Sequence, residues 1–198
     1  MKIFKVLTTV AIGIGTLLGT LPAHGREWHP RRVVNEVYAG IQKIHGYKAT
    51  PRLIWNVIRG KRGACGPIYG SHYCTKNHTV YIPNTDIRMA YQHGDAALAY
   101  IIAHEYAHAM QTAYQFRPGV GHITELQADC LAGVYLGLLP NVQLDNQDIR
   151  EVATFAHRIG DYARVSAHHH GTPRQRVKAV MLGMEGSVNG KGVSTCRI

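Results

Sequence analysis

Acidic side chains are scarce in this chain. Asp and Glu total 12 against 22 Lys and Arg, a formal charge of +10 at pH 7 with histidine neutral. Such an excess favours anionic partners: nucleic acid, anionic membrane surfaces, acidic envelope polymers or acidic substrates. Other absences narrow that choice. No helix-turn-helix pattern and no aromatic-basic repeat occurs. The basic residues are dispersed, as Arg31-Arg32, then Arg59, Lys61 and Arg62, then Arg174, Arg176 and Lys178. A specific nucleic-acid interface is therefore not expected, whereas contact with an anionic cell-envelope surface is compatible with the charge. No repeat or low-complexity linker divides the chain, and past the N-terminal segment no apolar run is long and uninterrupted enough to span a bilayer.

What is present begins with residues 1–25, which read as an export signal. Lys2 and Lys5 give a short basic start, an apolar stretch runs from Val6 to Leu21, and Ala23-His24-Gly25 places small residues at the cleavage-determining positions. The alternative is an uncleaved anchor. Thr8, Thr9, Thr16, Thr20 and several glycines interrupt the stretch and favour cleavage after Gly25; no cysteine there can carry a lipid. Residues 26–198 then form one domain-sized unit with room for a core and a net charge of about +8, since Lys2 and Lys5 are lost. The expected location is periplasmic or secreted, with no membrane span after cleavage. In that setting Cys65 and Cys74, flanking a glycine-rich loop, read as a disulfide, with a zinc role beside His72 as the alternative. Cys130 and Cys196 either pair or stay free.

The densest chemistry lies mid-chain. His104-Glu105-Tyr106-Ala107-His108 is an H-E-x-x-H pattern inside an alanine-rich apolar run that reads as a buried helix starting near Asp95, its expected N-cap. Residues four apart lie one above the other on a helix, so the two imidazoles can face one metal ion, with Glu105 able to reach a water on it. Two core histidines and a stray glutamate are the bland alternative; a third ligand decides between them. Glu125 supplies one, in a second helical run that ends at Leu139. Asp129 lies on the same face and can accept a hydrogen bond from a ligand histidine's other ring nitrogen. The neighbours Leu126, Ala128, Cys130, Leu131, Ala132 and Val134 predict burial, and a buried acidic pair needs a partner.

This block, with Glu125-Leu126-Gln127-Ala128-Asp129 as its most specific part, resembles the bacterial neutral zinc metallopeptidase family of the gluzincin group. Tyr73-Cys74, Thr79–Ile82 and His170–Arg176 strengthen the resemblance, which spans about residues 64–186. It implies a mainly helical, small zincin-like α+β domain with a short β-sheet beside the H-E-x-x-H helix. It further implies one Zn2+ held by His104, His108 and Glu125. Glu125 is preferred over His122, three residues earlier, because the resemblance puts a ligand there. It makes Thr79, Val80 and Tyr81 the edge strand to which an extended peptide adds. It sets His170 near the zinc, where a histidine steadies the oxyanion, and lets Arg176 anchor its segment by pairing with a carboxylate. Tyr106 is a weaker oxyanion candidate because it points off the His104/His108 face.

Elsewhere the periodicity predicts a helix over 31–44, a strand at Leu53–Ile58, and a helix over 145–165 buried through Ile149, Val152, Phe155, Ala156 and Ile159. His157 and Asp161 read as structural or exposed, and His168-His169-His170 as a loose metal-binding tract. A last helix, capped by Thr172, turns Val177, Val180, Met181 and Met184 inward, and an irregular tail follows from Glu185. The expected chemistry is hydrolysis of peptides or unfolded proteins by water, with zinc bringing that water's pKa towards about 7 and Glu105 as general base. Two alternatives are a zinc- and peptide-binding module without catalysis, and a cell-wall peptide amidase.

Overall fold

In a computed structural model of the chain, residues 28–46, 49–116, 121–140, 142–163 and 169–197 are described. The export segment read at 1–25 lies outside them, as does His168. The elements are α1 (Pro30–Ile44), β1 (Arg52–Val57), β2 (Arg62–Gly63), β3 (Gly66–Pro67), β4 (His72–Cys74), β5 (Thr79–Pro83), α2 (Asn84–Tyr91), α3 (Asp95–Ala113), α4 (Gly121–Leu138), α5 (Asn146–Arg158) and α6 (Pro173–Val188). A 3₁₀ turn, Gly192–Cys196, follows. The result is a mainly helical α+β arrangement with a small three-stranded sheet, and among the described residues no helix is long and apolar enough to cross a membrane.

Helix α3 is the centre. From Ala96 to Ala107 every residue is buried, which its alanine-rich, apolar-all-round composition requires. Helices α1, α2, α4 and α5 and strands β4 and β5 pack around it. Its N-cap is Gly94, not the expected Asp95. Gly94 has φ +119°, and a Cβ there would meet Glu151 Oε2 at 1.8 Å. Glu151 of α5 thereby reaches the α3 terminus and accepts from Ala96 N–H at 3.2 Å, while Asp95 accepts from Trp28 N–H.

The sheet order is β1-β5-β4, with β1 parallel and β4 antiparallel to β5. Thr79, Val80 and Tyr81 are therefore not an edge. Strand β5 is the middle strand, hydrogen-bonded on both sides, and all five of its residues are buried. The edge beside α3 is β4. The pairing order is a long-range property, and the weak alternation of residues 78–82 carries no information about it.

Helices α4 and α6 cross at unusually close range. A Cβ on Gly133 would lie 2.1 Å from Val180 O, and one on Gly183 would lie 1.9 Å from Cys130 O. The inward face of α6 is consequently Arg176, Ala179, Val180 and Gly183 rather than the predicted methionines; Met181 and Met184 are half-buried at the sides. Helix α6 continues to Val188, past the predicted start of the tail, and α5 stops at Arg158, short of 165. Thr172 caps α6 through a capping box with Gln175.

Two disulfides close the structure. Cys65–Cys74 pins the β2–β3 hairpin to β4, and Cys130–Cys196 ties the terminal turn to α4. Chain-entropy reasoning gives about 3 kcal/mol for a bridge nine residues apart and about 4 kcal/mol for one 66 apart. The double variant Cys130→Ala/Cys196→Ala should therefore lower the melting temperature more than Cys65→Ala/Cys74→Ala, as read by circular dichroism.

Candidate metal centre

Helix pitch brings His104 and His108 onto one face of α3, and α4 carries Glu125 across from them. His104 Nε2 lies 3.1 Å from His108 Nε2 and 3.2 Å from Glu125 Oε2, and His108 Nε2 lies 3.4 Å from the same oxygen. Two ligands on a tetrahedral zinc, each at its ordinary bond length, stand about 3.3 Å apart. The three atoms thus have the spacing of one face of a zinc tetrahedron, and two imidazoles with a carboxylate are a donor set zinc accepts. The residues fit the ion.

These atoms open on a cleft of about 570 Å³ whose lining includes Glu105, Tyr73, Ile101, Phe155 and His170. Glu105 is 7% exposed and stands outside the three-ligand cluster. The side of the cleft facing β4 is formed by residues 70–73 and Thr75; Thr79, Val80 and Tyr81 take no part in it.

Beneath His104 is a buried charged cluster. Asp129, fully buried, accepts from Arg176 Nη2 at 2.7 Å, from Arg176 Nε at 2.9 Å and from the Tyr100 hydroxyl. Its Oδ1 also lies 2.8 Å from His104 Nδ1, although the aligned hydrogen bond of that ring runs from Nε2 to Glu125. Burial would raise the Asp129 carboxyl; the Arg176 guanidinium, then His104, overturn that and bring it to about 2. Burial likewise opposes ionised Glu125, but hydrogen bonds and charge from His104 and His108 hold it well below the carboxylate range. Burial also raises the Tyr100 hydroxyl, and the Asp129 charge beside it adds to the rise.

The model of the family described as "Putative neutral zinc metallopeptidase" matches residues 32–123. Over that stretch the family resemblance is shown. The match takes in His104, Glu105 and His108 and stops short of Glu125 and Asp129, so the case for those two rests on the spacing and burial above. Among similar proteins, the uncharacterized protein YpfJ of Escherichia coli (strain K12) is 32% identical over 159 residues, covering 64% of this chain and 55% of that protein. The uncharacterized protein Rv2575 of Mycobacterium tuberculosis (strain ATCC 25618 / H37Rv) is 31% identical over 127 residues, covering 49% and 43%. The chain spans about half the length of the curated relatives it matches. No solved structure matches it.

His170 lines the cleft, and its backbone N–H donates to Asp161 Oδ2 at 3.1 Å. Desolvation lowers its imidazole pKa, Glu125 opposing and Arg176 reinforcing the shift. Asp161, which carried no motif, holds this turn: Oδ1 meets His169 Nδ1 at 2.6 Å, and its own N–H donates to Gly171 O at 3.0 Å. His122 packs against His169 with ring centroids 5.4 Å apart and planes tilted by 44°, and lies outside the cluster. Tyr106 is buried with its hydroxyl on Thr50 Oγ1, away from the cleft. A second acidic group, Asp95, Asp148 and Glu151, gathers at the N-terminus of α3. Sequence reasoning gave no role to Tyr100, Gln111 and Gln127, although Gln127 sits inside the Glu125–Asp129 block; burial within the two motif helices is the signal for Tyr100 and Gln111.

Breaking one side of the buried pair should be expensive. Arg176→Met takes from buried Asp129 its main counter-charge and two of its hydrogen bonds, an expected loss of about 3–5 kcal/mol in urea denaturation of the metal-free protein. The double variant Asp129→Leu/Arg176→Met should cost less than the two single variants added together.

Proposed function

We propose that this chain is an exported zinc-dependent endopeptidase acting on peptides or unfolded proteins. The observation that carries the reading is the spacing of His104 Nε2, His108 Nε2 and Glu125 Oε2 at 3.1–3.4 Å, with Glu105 beside them in an open cleft. Zinc, when bound, would acidify a water molecule and polarise the scissile carbonyl. Glu105 takes the proton of the attacking water and delivers it to the departing amine, so no covalent enzyme intermediate is needed. His170, on the rim, is the donor available to the oxyanion; as a neutral imidazole it still carries one N–H. Arg176 holds Asp129, which in turn backs His104.

Strand β4 replaces β5 as the docking edge. It is the outer strand of the sheet on the α3 side and borders the cleft, so an extended peptide added there would pass over His104 and Glu105 in a register set by main-chain hydrogen bonds. Export is supported by the N-terminal segment and by the two disulfides, which persist in oxidising compartments.

The deciding comparison is casein cleavage by zinc-loaded protein and by Glu105→Gln, with bound zinc quantified in both. Each should hold one zinc, and the variant should cut about 10²–10⁴-fold more slowly. Zinc in both with cleavage by neither would overturn the endopeptidase reading in favour of a peptide-binding module or an envelope-peptide amidase. Absence of zinc from the wild type would remove the ligand assignment itself.

A further inference from the structure

We propose that Gln111 and Gln127 are positioning residues that fix the ring tautomer of His108, and that the C-terminal turn is thereby part of the metal centre. The inference rests on the zinc reading above and extends it to two glutamines to which that reading gave no role. His108 Nδ1 lies 2.9 Å from Gln111 Oε1; Gln111 Nε2 donates to Thr124 O at 2.9 Å and to Gln127 Oε1 at 2.9 Å; Gln127 Nε2 donates to Cys196 O at 3.2 Å. Gln111 and Gln127 are 1% and 2% exposed, so water does not compete for these bonds.

The polarity of this relay is set at two points by main-chain carbonyls, which only accept. Thr124 O requires the NH₂ group of Gln111, and Cys196 O requires the NH₂ group of Gln127. With both amides so oriented, Gln111 presents its oxygen to His108, and Nδ1 must carry the hydrogen. Nε2 is then the bare nitrogen, turned towards His104 and Glu125 as a metal ligand must be. The far anchor, Cys196, is fixed to α4 by its disulfide with Cys130. The two histidines are thus supported differently: His104 by the charged Asp129–Arg176 pair, His108 by neutral amides that end at the tail.

The test is zinc affinity by chelator competition for the wild type, Gln111→Leu, Gln111→Glu and Gln127→Leu. Circular dichroism melts of the metal-free proteins are run alongside. Gln111→Leu should weaken zinc binding about 10–100-fold, the usual effect of removing a ligand's hydrogen-bond partner. Gln111→Glu keeps an acceptor for Nδ1–H but loses the donor to Thr124 O and Gln127 Oε1, so it should fall between the wild type and Gln111→Leu. Gln127→Leu, one step further from the ring, should show a smaller loss than Gln111→Leu. A folded Gln111→Leu variant that holds zinc like the wild type overturns the proposal, as does a Gln111→Glu variant as weak as Gln111→Leu. Should Gln111→Leu fail to fold, wild-type affinity in Gln127→Leu overturns it instead. A packing role alone would lower the melting temperature and leave affinity untouched. Failure of the wild type to bind zinc strikes the underlying metal reading, a result distinct from these.

Discussion

The bidentate contact between Arg176 and Asp129 is the constraint on which the site depends. Both groups are buried, at 4% and 0% exposure, so each charge needs a partner, and each supplies the main one for the other. Their pairing ties α6 to α4, and the Tyr100 hydroxyl adds α3 to the same point. His104 sits directly above, its Nδ1 against the shared carboxylate. This buried polar contact therefore ties together the three helices that carry the ligands and their supports.

The packing around the pair makes such proximity possible. Gly133 and Gly183 let the α4 and α6 backbones approach to a distance that any side chain would forbid. That approach carries Arg176 to Asp129 with little slack, whereas larger residues at the crossing would hold the guanidinium away. At the other end of the site the neutral amides of Gln111 and Gln127 run between α3, α4 and the terminal turn. One ligand histidine thus depends on a helix crossing and the other on the chain's last residues, so parts of the protein far from the motif in sequence support the same three-atom spacing.

How much of this was legible in the sequence depends on the range of each interaction. The juxtaposition of His104 and His108 follows from helix pitch, and the burial of Asp129 follows from its apolar neighbours. Individual helical runs were readable from periodicity, and the mainly helical α+β class was what the family resemblance implied. The docking edge did not follow: Thr79, Val80 and Tyr81 read as an edge strand, but β5 lies between β1 and β4, and strand order is settled by packing rather than alternation. Methionines were expected on the inner face of α6 where glycines stand, because a hydrophobic pattern does not report how closely two backbones pass. Neither glutamine is a metal-ligand type, so the support of His108 was invisible without coordinates, even with Gln127 inside the Glu125–Asp129 block.

The sequence by itself determined the elements and the pairing of residues within a helical turn, because those are set by local geometry and by solvent exclusion. It determined the donor types, two imidazoles and two carboxylates, from which the chemistry of the site was readable. Only the tertiary structure decided which partners those donors meet. The distance between Glu125 and the histidines, the arginine under Asp129 and the amide relay to Cys196 all arise from contacts between segments remote in sequence, where close packing and the need to satisfy buried polar groups select one arrangement.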